Sequence, residues 1–185
     1  MELEIFPRSG EKKNDAKRCR REGKIPAIIY GKNVSNEKIY VKKEQIHAAL
    51  RKIKKGRLST TVFSLKKEGK KKKVLVKDIQ YHPTTYHIEH IDFQYIFDNQ
   101  KVNVNIPIVC MGEDVCEGIK LGGTLRQVIR KVRVRCLPKN IPQEFCIDLS
   151  SLHIGDAKKL EDINIPKTVC PLVSLKEVAI VIAKR

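Results

Sequence analysis

The sequence lacks the features that define several large classes of protein. No apolar run in its 185 residues approaches the roughly 18 residues that a membrane-spanning helix needs. The N-terminal segment MELEIFPRSGEKKN has no apolar core and no small-residue cleavage site, so we expect no secretory signal. The P-loop, dinucleotide-binding, esterase and zinc-protease motifs (GxxxxGKS/T, GxGxxG, GxSxG and HExxH) do not occur. We therefore expect no enzyme, no cofactor and no small-molecule substrate.

Cysteine pairs and acidic residues are also scarce. Six cysteines occur without a CxxC pair, at positions 19, 110, 116, 136, 146 and 170. In a chain without an export signal, this pattern predicts reduced and mostly buried thiols. The chain contains 21 Asp and Glu against 38 Lys and Arg, which leaves a net charge of +17. Such an excess is typical of proteins that bind a polyanion, either nucleic acid or an acidic membrane surface.

Charge and aromatic residues are distributed unevenly along the chain, which indicates two domains. Residues 1–98 contain 24 Lys and Arg and 12 Asp and Glu, a net charge of +12, whereas residues 99–185 contain 14 and 9, a net charge of +5. Of the ten Tyr and Phe residues, only Phe145 follows residue 97. We predict a first domain over residues 1–97, which contains the polyanion site, and a second domain over residues 98–185.

The hydropathy pattern predicts a mainly β chain with short helices. Apolar runs, either alternating or continuous, predict strands in the first domain at 1–6, 25–31, 38–42, 59–65, 74–80 and 86–97, with a hairpin turn at Glu68–Gly69. Capping residues and a helical apolar stripe predict helices at 15–22 and 43–55. In the second domain we predict a loop at 111–123, strands at 101–110, 124–138 and 177–183, and a strand followed by a turn within 144–156.

The predicted helix at 15–22 has the most informative pattern. At about 100° per residue, its basic residues occupy an arc of about 160°, with Ala16 and Cys19 roughly opposite. The basic residues are Lys17, Arg18, Arg20 and Arg21. Such a helix can lie across phosphates while its small residues pack inward, and arginine adds bidentate donors. A solvated basic face on an ordinary helix would give the same pattern.

Tyr30 lies at the end of the predicted strand 25–31, between Lys24 and Lys32. A ring in this position can stack on a base or hydrogen-bond a 2′-OH while the lysines contact phosphates. Equally, Tyr30 can simply end a buried strand and direct its hydroxyl to the rim. The pattern alone does not decide between these two interpretations.

The segment 80–93 is rich in histidine and admits four interpretations. If residues 86–93 form a strand, alternation places Tyr86, Ile88, His90 and Asp92 on one face. A polar patch that hydrogen-bonds RNA and a purely structural His–Asp pair both fit this arrangement. A general acid–base pair would also fit, although no nucleophile is evident. A metal site is the fourth interpretation, although no zinc spacing occurs among its potential ligands His82, His87, His90 and Asp92.

The second domain has its own basic segment at 126–135. On a strand, Lys131, Arg133 and Arg135 would share one face. A modest RNA or protein contact and a solvated strand face are both compatible with this pattern, so we assign no site residues there.

Two motifs, KRCRREGKIPAIIYGK at 17–32 and DIQYHPTTYHIEHIDF at 78–93, resemble a bacterial ribosomal protein family. This is the large-subunit family that binds 5S ribosomal RNA and includes the Ctc-type general stress proteins. The resemblance continues through 106–138 and 145–156, which are similar to the second domain of the family's two-domain long form. It covers about residues 1–175, which is nearly the whole chain.

The resemblance implies a fold, a partner and a location. The first domain is expected to be a small β-barrel with flanking helices, similar to the anticodon-binding domain of a class I tRNA synthetase, and the second a mostly β domain. The expected function is that of a structural component of the large ribosomal subunit, a monomer within the cytoplasmic ribosome. Its expected partner is a helical region of 5S ribosomal RNA with an internal loop of non-Watson–Crick pairs, bound mainly at the accessible minor groove. The alternative is a basic, stress-related RNA-binding adaptor that associates transiently with ribosomes.

The resemblance also implies which residues contact RNA. The family's contacting positions correspond to Arg8, Arg20, Tyr30, His90 and Asp92. Arg18, Arg21 and Lys24 belong to the surrounding basic motif, and with Lys17 they complete the predicted RNA-binding set. Asp92 is unusual in a site for a polyanion. Its carboxylate could accept a hydrogen bond from a guanine amino group or a 2′-OH, or it could orient His90 or an arginine.

Overall fold

Strands dominate the described part of the chain, which comprises residues 1–8, 14–32, 34–67 and 70–184 of the computed structural model. The prediction of a mainly β fold with short helices is therefore confirmed. The chain divides into two compact units, Met1–Asp98 and Asn99–Arg185, one residue after the boundary expected from the sequence. Within the described residues, no helix has the length and apolar character to cross a membrane.

The first unit is a closed β-barrel, as the resemblance implied. Its strands are β1 (Glu2–Pro7), β2 (Lys24–Gly31), β3 (Val34–Lys42), β4 (Val62–Lys67), β5 (Lys70–Tyr81) and β6 (Ile88–Tyr95). Its helices are α1 (Asp15–Arg21) and α2 (Lys43–Lys52), followed by a 3-10 helix at Arg57–Thr60. The strands follow the order β1-β3-β2-β6-β5-β4, and β4 closes the barrel by pairing in parallel with β1.

The barrel forms because apolar residues alternate along its strands and point to one interior. That interior is nearly solvent-free, and its members include Leu3, Ile25, Ala27, Ile29, Ile39, Phe63, Leu65, Ile91 and Phe93. Helix α2 adds the buried residues Ile46 and Ala49, and Leu50 packs against the same core. The residues between the inward positions are left on the outer surface of the barrel, where they are available for a partner.

Several element boundaries in the first unit differ from those predicted, including the starts of β3 at Val34 and of β5 at Lys70, which were predicted at 38 and 74. The strand predicted at 59–65 begins only at Val62, because the hydroxyls of Thr60 and Thr61 bond the Arg57 carbonyl at 2.9 and 2.8 Å and stabilise a 3-10 turn. The helix predicted at 43–55 ends at Lys52, and Gly56 turns the chain with a φ of 85°. The strand predicted from residue 86 begins at Ile88. The predicted turn at Glu68–Gly69 lies outside the described residues.

The second unit contains two open sheets. Its strands are β7 (Val102–Met111), β8 (Thr124–Gln127), β9 (Lys131–Cys136), β10 (Phe145–Asp148), β11 (Ala157–Lys159), β12 (Cys170–Pro171) and β13 (Val178–Ala183). One sheet has the order β10-β7-β9-β12 and the other β11-β13-β8. A short helix, α3 (Glu117–Lys120), lies in the predicted loop, and 3-10 turns occupy Pro138–Asn140 and Leu160–Asp162.

The predicted strand 124–138 is two strands that belong to different sheets. The amides of Val128 and Ile129 both donate to the carbonyl of Ala179, whereas the carbonyl of Arg130 accepts from Ile108. The chain therefore changes partner between β8 and β9, which no local pattern indicates. All six cysteines are free thiols, but only Cys19, Cys116 and Cys136 are buried, so the expectation of mostly buried thiols was wrong for the exposed Cys146 and Cys170.

Candidate nucleic-acid interface

The parallel pairing of β2 with β6 brings together residues that are about 60 positions apart in sequence. Ile28 lies opposite Asp92, and Tyr30 lies opposite Gln94. The neighbouring residues Ala27, Ile29, Ile91 and Phe93 point into the barrel and are almost fully buried. Because alternation is shared across the pair, Tyr30, His90 and Asp92 all lie on the outer surface of the barrel. All three are partly exposed.

A β-bulge connects this surface to α1. Residues Gln80 and Tyr81 of β5 pair with His90 and Ile88 of β6, so Glu89 is an extra residue without a partner in the register. The Glu89 carbonyl accepts a hydrogen bond from Nε of Arg20 at 3.1 Å. The bulge also turns Ile88 into the core, 6% exposed, whereas the sequence placed it on the face of His90. Arg20 is thus held beside His90.

Helix α1 presents the cationic face that its sequence predicted. Cys19 is buried, and Lys17, Arg18, Arg20 and Arg21 are exposed. The helix ends at Arg21, and Gly23, with a φ of 70°, then turns the chain in a left-handed conformation that glycine adopts without a steric penalty. The next residue already begins β2. This tight connection fixes the basic helix next to the strand that carries Tyr30.

Tyr30 lies near two negatively charged carboxylates, although the protein as a whole is positively charged. Partial burial raises the pKa of its phenol, and the carboxylates of Asp92 and Asp78 raise that pKa further. This shift moves the pKa of Tyr30 further above neutral pH, where the protonated hydroxyl is available as a hydrogen-bond donor. Asp78 lies opposite Asp92 in the pairing of β5 with β6, so three strands contribute polar groups to one surface.

His90 and Asp92 form a hydrogen-bonded pair. Nδ1 of His90 lies 2.8 Å from Oδ1 of Asp92, and both side chains are less than one-third exposed. Of the two roles considered for Asp92, orientation of His90 therefore has a visible contact. The second carboxylate oxygen is not used by this contact and is left as an acceptor.

The contacts of His82 do not favour a metal site in the segment 80–93. The Nδ1 atom of His82 lies 3.0 Å from the Thr84 hydroxyl and 3.3 Å from the Thr85 amide, so it already caps the turn. Within residues 1–8, 14–32, 34–67 and 70–184, no three His, Cys, Asp or Glu side chains come together as a group that could hold a metal.

Lys24 and Arg8 lie at the margins of this surface. Nζ of Lys24 is 2.7 Å from Oε2 of Glu22 and 4.9 Å from the centre of the Tyr40 ring. The ion pair with Glu22 raises the pKa of Lys24. Arg8 follows β1, and its amide donates to the carbonyl of Lys38 at 3.0 Å.

The register of the neighbouring strands places Arg8 level with the rest of the surface. Lys38 of β3 lies opposite Ile28 of β2, and Ile28 lies opposite Asp92 of β6. Arg8 therefore stands at the same level of the barrel as Asp92. Nε of Arg8 is covered and has no hydrogen-bond partner among the described residues.

The structure adds two residues that the sequence analysis did not single out. Asp78 and Lys38 join the surface only through the register of β5 with β6 and of β3 with β2. Alternation within DIQYHP would have placed Asp78 on the same face as Gln80. No sequence signal, however, indicates which strand lies beside β6.

Comparisons with known proteins agree with the motifs. The model of the Ribosomal L25p family matches residues 3–93, and that of Ribosomal protein TL5, C-terminal domain, matches residues 101–185. The second match extends beyond residue 175, where the resemblance of the motifs ends. Among curated relatives, the Large ribosomal subunit protein bL25 of Chlamydia trachomatis serovar D is 45% identical over 185 residues, with 100% of both chains covered. The proteins of the same name from Chlamydia pneumoniae and Chlamydia muridarum are 44% and 43% identical over the same length and coverage.

Proposed function

Because the chain belongs to the ribosomal L25p family, we propose that it is a structural component of the large ribosomal subunit that binds 5S ribosomal RNA. Membership of a ribosomal protein family makes it a structural protein rather than an enzyme. Its place of action is then the ribosome, and its excess of positive charge suits a surface that contacts RNA phosphates.

One observation carries the proposal most directly. Arg20 donates a hydrogen bond to the carbonyl of Glu89, the residue next to His90, while the pairing of β2 with β6 places Tyr30 on the same outer face as Asp92. The basic helix and the polar strand surface therefore form one continuous cradle. Had Arg20 and Tyr30 faced away from His90 and Asp92, no single RNA segment could contact all four.

The two parts of the cradle have different expected roles. The exposed cations of α1, together with Arg8 and Lys24, contact phosphates and supply most of the affinity. The hydroxyl of Tyr30, the imidazole of His90 and the free oxygen of Asp92 contact base edges or 2′-OH groups and fix the register. The combination of hydrogen-bond donors and acceptors with cations fits an internal loop of non-Watson–Crick pairs, whose groove exposes base edges that a regular duplex does not.

A gel-shift series tests this proposal. The protein is titrated with intact 5S ribosomal RNA and with the same RNA in which the internal loop is replaced by Watson–Crick pairs. We expect the intact RNA to bind at least about tenfold more tightly, the equivalent of one good base contact. Equal affinity for the two RNAs would contradict the site-specific interface and leave only general electrostatic binding.

A second measurement separates a permanent component from a transient adaptor. The protein is followed through a sucrose gradient of ribosomal subunits at low and at high salt. A structural component is expected to remain with the large subunit at high salt. Release at moderate salt, together with unchanged specificity in the gel shift, would favour the adaptor instead.

A further inference from the structure

A second cationic surface lies on α2, outside the interface proposed above. Lys43, His47 and Arg51 follow one another at intervals of four residues, so they form one stripe on the helix, here named the α2 basic face. The opposite side of the helix is anchored in the barrel through Ile46 and Ala49. A shallow depression of about 320 Å³ runs along the α2 basic face, and Glu44 is the acidic residue that borders it.

This face is continuous with the proposed interface. The amide of Lys43 donates to the carbonyl of Gly23 at 3.0 Å, which ties the start of α2 to the end of α1. A cavity of about 190 Å³ occupies the junction, and its walls include Arg20, Lys43, His82 and His87. Lys43 therefore borders both depressions, and Arg20 belongs to both the cavity and the proposed interface. A bound chain could pass from one surface to the other along the charged groups of Arg20 and Lys43.

Basic groups surround His47 on the α2 basic face. Burial lowers the pKa of His47, and the charges of Lys43, Arg51 and His87 lower it further. Within the described residues, Nε2 of His47 is buried and has no hydrogen-bond partner. Three other basic groups thus crowd one unpartnered imidazole, with Glu44 at the edge. A phosphate between Lys43 and Arg51 would relieve this repulsion.

We infer that the α2 basic face binds backbone phosphates of the RNA that occupies the cradle. The inference rests on the proposed function, because the path from Arg20 through the junction cavity gives the same RNA access to α2. A polyanion suits this stripe better than a single carboxylate does, since regularly spaced charges are needed to match cations on two successive turns. An acidic segment of a neighbouring protein is the competing occupant.

Salt-dependent binding of the full-length protein to intact 5S ribosomal RNA tests the inference. The double variant Lys43→Gln/Arg51→Gln is expected to bind more weakly, with a salt slope lower by about one unit per lost phosphate contact. The matched control is Lys52→Gln/Lys55→Gln. It also removes two positive charges, but from the end of α2 and the residues after it, outside the α2 basic face, and it should bind as the unchanged protein does. The charge-retaining variant Lys43→Arg/Arg51→Lys should restore most of the slope, and thermal unfolding verifies that each variant is folded.

Two results would overturn the inference. One is a double variant whose affinity and slope equal those of the unchanged protein; the other is a control that loses as much as the double variant. Weaker retention in the assembled large subunit, with unchanged affinity for isolated RNA, would assign α2 to a protein partner instead. Substitution of Tyr30 or Asp92 in parallel tests the proposed function separately, because these variants should lose discrimination between intact and altered RNA whatever α2 contacts.

Discussion

Each of the two units of the molecule exposes a basic surface, on α1 in the first and on β9 in the second, but the groups around the cations differ. In the first unit, the cations of α1 lie beside Tyr30 and the His90–Asp92 pair. In the second unit, β9 exposes Lys131, Arg133 and Arg135 while the residues between them are buried, as alternation predicted. Nε of Arg135 donates to the side chain of Asn103 at 3.1 Å, so part of this charge is already engaged on the neighbouring strand.

This difference shows why charge alone does not define an RNA site. Cations contact phosphates of any sequence, whereas oriented donors and acceptors select the bases and sugars that fit them. The β9 surface has the charge of a phosphate-binding strand, and among the described residues it has no neighbouring pair like His90 and Asp92 on its face. We therefore expect specific RNA binding to depend on the first unit. The following experiments compare matched changes in the two units.

The largest effect should come from the barrel core. Phe93 is 0% exposed in the first unit and Phe145 is 2% exposed in the second, so Phe93→Ala and Phe145→Ala are matched cavity-forming substitutions. Each should reduce the free energy of unfolding of its own unit by about 3–5 kcal/mol. Only Phe93→Ala should also abolish RNA binding, because Phe93 lies next to Asp92 on β6. Urea unfolding and gel shift measure the two effects.

One result would contradict the expectation that specific RNA binding depends on the first unit alone. If Phe145→Ala abolished binding while the first unit stayed folded, the second unit would have to contribute directly to the RNA site. Protection of first-unit amides from hydrogen exchange identifies that case, since it reports the folding of the barrel independently of binding.

A smaller effect is expected from substitution of Asp92, the hydrogen-bond acceptor in the cradle. Asp92→Asn weakens the bond that orients His90 and changes an acceptor into a group that also donates. We expect it to reduce discrimination between intact and altered 5S ribosomal RNA by about 1–3 kcal/mol, with little change in the salt slope. The matched change in the second unit is Asp148→Asn, which removes the carboxylate that accepts from Ser150 at 2.6 Å, and it should leave discrimination unchanged.

Sequence patterns predicted which segments form strands and helices better than they predicted which strands pair with each other. Local signals such as the continuous apolar run of β2 and the stripe on α2 were sufficient to identify these elements. The end of β6 near Ile88 was misplaced because the bulge at Glu89 depends on pairing with β5. The division between β8 and β9 was missed for a similar reason, since hydrogen bonds to Ala179 of a distant strand determine it.

The same distinction applies to the candidate site. The cationic face of α1 and the neighbouring positions of His90 and Asp92 followed from periodicity within one segment. The grouping of these two segments was implied by the family resemblance, not by any local pattern. Asp78 and Lys38 were missed because only the strand order of the barrel places them beside Asp92 and Ile28.

Removal of two phosphate-contacting charges should have a moderate effect on affinity. Lys17→Gln/Arg21→Gln in α1 and Lys131→Gln/Arg133→Gln in β9 each remove one lysine and one arginine that are exposed. The α1 variant should lower the salt slope of RNA binding by about one unit per residue and weaken all RNA sequences alike. The β9 variant should leave the slope unchanged. Equal slopes for the two variants would mean that the β9 surface contacts the RNA as strongly as α1 does.

The smallest effect concerns His47 and the pH dependence of stability. The pKa of His47 is lower in the folded protein than its ordinary value of 6.5, so between these two values the unfolded chain binds more protons than the folded protein does. The contribution of His47 to the free energy of unfolding is therefore present above pH 6.5 and decreases as the pH falls towards the folded pKa. His47→Gln should flatten this decrease in urea unfolding measured between about pH 8 and pH 5, where histidine titrates. His153→Gln, which changes an exposed histidine of the second unit, serves as the control and should flatten it less. If the two variants flattened the curve equally, neither the burial of His47 nor the cations around it would affect its titration.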